Sequence, residues 1–94
     1  MSSNEQDPIE YPIDGTLDLH QFRPDEVRDV VRDYIDACLE RGIHALRIIH
    51  GKGIGVQREI VRSVLEKHPA VESFRHEGGS GGSWGATVVD LKRG

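Results

Sequence analysis

His50, Gly51, Lys52, Gly53 and Gly55 follow directly on the apolar stretch Leu46-Arg47-Ile48-Ile49. An imidazole can move a proton near neutrality, an ammonium is a fixed positive charge, and glycines let a ligand approach the backbone closely. A helix-like pattern begins at Val56, so the turn delivers these groups to a helix N-terminus, whose unpaired N–H groups attract anions. Asp18 and His20 form a second pair. Their spacing of two places carboxylate and imidazole on one face of an extended strand. Together these groups suit phosphodiester cleavage. Lys52 and the backbone donors would hold the anion, a histidine or metal-bound water would handle the proton, and Lys52 would offset charge developing on phosphorus. Asp18 would orient a histidine or help to hold a divalent cation. Arg75 could touch phosphate, and Trp84 could stack on an unpaired base, a contact worth about 1–3 kcal/mol.

Each feature also has a plain structural reading. A glycine turn between strand and helix commonly only shapes the chain, and a strand-end histidine commonly only satisfies a hydrogen bond. Arg75 and His76 fit a solvated strand end, and Trp84 fits a plug on the core. His44 and His68 read as surface residues near helix ends. The spacing of neither G-x-x-x-x-G-K-[ST] nor G-x-G-x-x-G is present, no Cys/His set has zinc spacing, and no serine sits in a nucleophile elbow.

The elements that must position these groups follow from periodicity. Thr16 to His20 alternates, with Leu17 and Leu19 inward and Asp18 and His20 on the opposite face. Pro24 starts a helix whose stripe is Val27, Val30, Val31, Tyr34, Ile35, Cys38 and Leu39, and Gly42 stops it. Ala45 to His50 is a second strand, Val56 to about His68 a second helix ended by Pro69, and Val71 to His76 a third strand. Residues 78–85 read as a flexible glycine connection that could close over the site, and Ala86 to Leu91 as a fourth strand. The order is βαβαββ. It predicts an α/β two-layer sandwich: a small mixed four-stranded sheet, both helices on one face, and the last two strands as a hairpin. His20 and His50 should then end neighbouring strands and point to one rim, where ligands gather in such folds.

A chain of 94 residues suits one small domain. Residues 1–15 hold Glu5, Asp7, Glu10 and Asp14 and no Lys or Arg, so a flexible acidic tail carries the whole net charge of −4. The domain from residue 16 to 94 is balanced, and would bind a polyanion through a local basic site without wide electrostatic steering. The single cysteine, Cys38, excludes an internal disulfide and falls on a helix's apolar stripe, as a core thiol does. No apolar run approaches bilayer-spanning length and no basic-then-apolar leader opens the chain, which points to a cytoplasmic protein without a membrane partner.

Leu17-Asp18-Leu19-His20, Ile49-His50-Gly51-Lys52-Gly53 and Gly81-Gly82-Ser83-Trp84-Gly85-Ala86-Thr87-Val88-Val89, in that order, resemble the small MutS-related (Smr) domain. Its pattern is an LDLH motif, an HGKG motif and a glycine-rich loop entering a last strand. The resemblance implies a sandwich like the C-terminal domain of translation initiation factor 3, nucleic-acid binding, and in many members nicking of DNA or cleavage of RNA. On that pattern Asp18, His20, His50 and Lys52 are the catalytic candidates, and Gly51, Lys52 and Gly53 line the nucleic acid. Metal dependence varies within the family, which leaves Mg²⁺ or Mn²⁺ as a cofactor and the metal ligands open. Gln21 follows LDLH where many members carry glycine. That departure keeps a second reading in view, a non-catalytic DNA- or RNA-binding module acting with a larger protein partner.

Overall fold

Leu17 and Leu19 both turn into the core, but the strand that carries them is shorter than its alternation predicts. The computed structural model describes residues 13–51, 55–77 and 85–93; Lys52, Gly53, Trp84, the acidic residues 1–12 and most of the glycine connection lie outside them. Strand β1 is Thr16–Asp18, and Leu19–Gln21 forms one turn of 3-10 helix. The cause is local. The Asp18 carboxylate accepts from the backbone N–H of His20 at 2.9 Å, a side-chain bond that offers the chain an alternative to the ladder. The strand therefore ends two residues earlier than its alternation predicts, and His20 leaves the sheet.

Helix α1 spans Pro24–Glu40, with Pro24 in its first turn and the Glu26 carboxylate reaching back to the Arg23 N–H at 2.8 Å. Strand β2 is Ala45–Ile49, α2 is Val56–Lys67, β3 is Val71–His76 and β4 is Ala86–Leu91. The four strands lie in the order β1-β2-β4-β3, with β1 parallel to β2 and β4 antiparallel to both of its neighbours. The expected hairpin of β3 and β4 is present, and β4 fills the centre because most of its residues are buried.

Leu17, Leu46, Ile48, Val89 and Leu91 from the sheet meet Val27, Val31, Tyr34, Ile35 and Cys38 of α1 and Val61, Val64 and Leu65 of α2 in one core. This is the expected two-layer α/β sandwich. Register puts Thr16, Arg47, Val88 and Arg75 in one row on the other face. No described helix is long and apolar enough to cross a membrane.

The entry to β1 is fixed by Tyr34. Its buried hydroxyl accepts from the Gly15 N–H at 2.9 Å, and burial pushes the phenol up to about 12, so it stays protonated. Tyr34→Phe strands that buried N–H and should cost about 1–3 kcal/mol, read as a lower urea midpoint with unchanged slope. An unchanged midpoint would show that the bond holds nothing.

Candidate functional site

The ends of β1 and β2 meet at a corner built from two glycines. Gly51 and Gly85 take positive φ, +89° and +71°. The Gly85 carbonyl accepts from both the His50 N–H, at 2.7 Å, and the Gly51 N–H, at 2.8 Å. A Cβ on Gly85 would stand 2.5 Å from the Gly51 carbonyl carbon, closer than real contacts allow, so only glycine fits there. A Cβ on Gly51 would stand 3.1 Å from His20 Nε2, so the imidazole of His20 lies against this corner.

Asp18 orients that imidazole. Its Oδ1 lies 2.7 Å from His20 Nδ1 and also takes the His20 backbone N–H. The backbone N–H is the main influence holding the Asp18 carboxyl below its ordinary value, and the ring bond adds to it against a partial burial cost. A carboxylate only accepts, so neutral His20 carries its proton on Nδ1 and leaves Nε2 bare beside the glycyl corner. The His20 side chain is 64% exposed, open to a ligand.

His50 behaves differently. Neighbouring strand ends predict a shared ledge for both imidazoles, yet His50 turns inward and the residue is only 7% exposed. The alternation Leu46, Ile48, His50 continues onto the helix-covered face. There Nε2 lies 2.9 Å from Thr87 Oγ1 and Nδ1 lies 3.2 Å from the Gly51 carbonyl, so both ring nitrogens are occupied. The backbones of the two motifs meet, but only His20 presents a nitrogen to the outside. Burial is the main cause that lowers the His50 pKa.

Arg75 stays exposed on the outer sheet face, in the row with Arg47, which pairs with Glu77 at 2.8 Å. His76 is exposed at the end of β3, in keeping with a solvated strand end, and its Nδ1 also lies 3.0 Å from Thr87 Oγ1. His68 is not the surface residue expected: its side chain is 12% exposed, Nδ1 accepts from the Ala70 N–H, and Nε2 lies 3.4 Å from Asp36. Thr87 and Gly85 were missed as site residues. The signal for Thr87 was the alternation 87, 89, 91 in β4, which puts a hydroxyl on the inward face where it needs partners. Among the described residues, no three of His, Cys, Asp or Glu converge as a metal-binding set.

The Smr domain model matches residues 17–92. The chain belongs to the Smr domain family. It is 40% identical over 80 residues to endonuclease MutS2 of Caldicellulosiruptor bescii, covering 85% of this chain and 10% of that protein. With endonuclease MutS2 of Geobacillus thermodenitrificans the identity is 41% over 76 residues, covering 81% of this chain and 10% of that protein. The chain thus spans about a tenth of the length of these larger relatives. The crystal structure of the Smr domain of Thermus thermophilus MutS2 superposes with a TM-score of 0.76 at 31% identity, over 85% of this chain and all of that one. YdaL, a stand-alone small MutS-related protein from Escherichia coli, gives a TM-score of 0.69 at 30% identity, over 89% of this chain and 69% of that one.

The lowered His50 pKa has a sign. The folded chain takes up that proton less readily than the unfolded chain, so the stability tied to neutral His50 is complete above pH 6.5 and is lost as pH falls through 6.5 to the lower folded value. Unfolding free energy measured against pH should decline below that point, and His50→Gln should flatten the decline. Parallel curves for the two proteins would contradict a buried neutral ring.

Proposed function

We propose that this Smr domain binds nucleic acid and cleaves its phosphodiester bonds, with His20 as the proton acceptor. The observation that carries this reading is the Asp18–His20 pair, with a bare Nε2 facing an open glycyl corner. His20 Nε2 takes the proton of the attacking hydroxyl or water, and Asp18 holds the ring and offsets the imidazolium that forms. The reaction needs positive charge beside the phosphate, and Lys52, one residue beyond Gly51, is the group the sequence offers. Gly51 and Gly53 leave room for the backbone of the strand, and Trp84 stacks on an unpaired base. His50 holds the corner from inside rather than touching substrate. The names of the MutS2 relatives, endonucleases, support the same reading.

A second reading is favoured by Gln21, exposed in the 3-10 turn directly after His20. A side chain there crowds the approach to His20 where many members of the family carry glycine, which suits a module that binds DNA or RNA without cutting it.

Purified protein incubated with supercoiled plasmid and with structured RNA, with and without Mg²⁺ or Mn²⁺, separates the two. Cleavage should appear, fall about 10²–10⁴-fold in His20→Ala, and fall less in Asp18→Asn. Cleavage undiminished in His20→Ala would overturn the assignment. Salt-sensitive binding without product would favour the second reading.

A further inference from the structure

His50 and Thr87 are the buried polar side chains among the described residues, and they bond to each other. Thr87 is fully buried, in register with Ile48 on one side and His76 on the other. A valine would fill the same space, so the hydroxyl carries a solvation cost unless partners satisfy it. It has two: His50 Nε2 at 2.9 Å and His76 Nδ1 at 3.0 Å.

A hydroxyl has one proton and two acceptor lone pairs, so it can donate to only one of the two imidazoles. The Gly51 carbonyl decides which. It only accepts, so His50 Nδ1, 3.2 Å away, carries the proton of the neutral ring. His50 Nε2 is then bare, and Thr87 donates to it. His76 Nδ1–H donates in turn to the Thr87 oxygen. The donors run one way, from His76 through Thr87 and His50 to the Gly51 carbonyl. The opposite tautomer of His50 would set a bare Nδ1 against the carbonyl oxygen and leave both unsatisfied.

We propose that Thr87 is a positioning residue for the site: its hydroxyl locks His50 in the Nδ1–H form, and the locked ring holds the Gly51 carbonyl so that the glycyl corner stays seated against His20. The effect on cleavage rests on the nuclease reading above; the lock itself does not.

Ring ¹⁵N NMR of the whole chain at alkaline pH tests it, since pyrrole-type and pyridine-type nitrogens resonate apart. Wild type and Thr87→Ser should both show His50 with a pyrrole-type Nδ1 and a pyridine-type Nε2. Thr87→Val should shift both signals toward an average of the two tautomers and lower cleavage about 10²-fold, the cost a misplacement of about 1 Å can carry. A pyrrole-type Nε2 in the wild type overturns the proposal, and so does an unchanged tautomer in Thr87→Val. If Thr87→Val does not fold, Thr87→Ala carries the same comparison, and the wild-type spectrum can overturn the lock by itself. Absence of cleavage by a wild type that shows the locked ring would count against the nuclease reading and leave the lock standing.

Discussion

The architecture of the site depends on two backbones meeting without side chains between them. Gly85, at the entry to β4, offers one carbonyl to two successive N–H groups at the end of β2, and its missing Cβ lets Gly51 come into contact. Strand β4 must lie between β2 and β3 for this to happen, so the register of the sheet and the shape of the corner are one constraint. The core beneath supplies the rigidity. Ile48 and Val89, buried on adjacent strands, fix where β2 and β4 end relative to each other.

That corner divides the labour of the two histidines. The pleat carries His50 inward, where burial and two hydrogen bonds make it a brace for the backbone. The 3-10 turn carries His20 outward, where Asp18 fixes one nitrogen and leaves the other exposed over the glycines. An orienting carboxylate behind an imidazole with a free second nitrogen is the arrangement general acid–base chemistry requires.

Much of this was legible beforehand, and the rest was hidden for identifiable reasons. The helices stood out because Val27, Val31, Tyr34, Ile35 and Cys38 repeat at the helical period, and the structure buries all of them. The β1-β2-β4-β3 order was not legible, because inserting the last strand between two earlier ones depends on contacts far apart in sequence. Extending β1 to His20 weighed the alternation of Leu17 and Leu19 above the tendency of Asp18 to bond its own backbone two residues on. The inward turn of His50 and the burial of Thr87 were both implied by period two along their strands. Reading His50 by chemistry and not by pleat hid its partner.

Gly85 holds the corner on which His20 rests, and nuclear Overhauser contacts between the His20 ring protons and the Gly51 α protons report that seating. Such contacts are expected in the wild-type chain and should be lost in Gly85→Ala, where the added methyl would drive the two backbones apart. A His20 ring with no contact to Gly51 in the wild type, or contacts that survive Gly85→Ala unchanged, would contradict it.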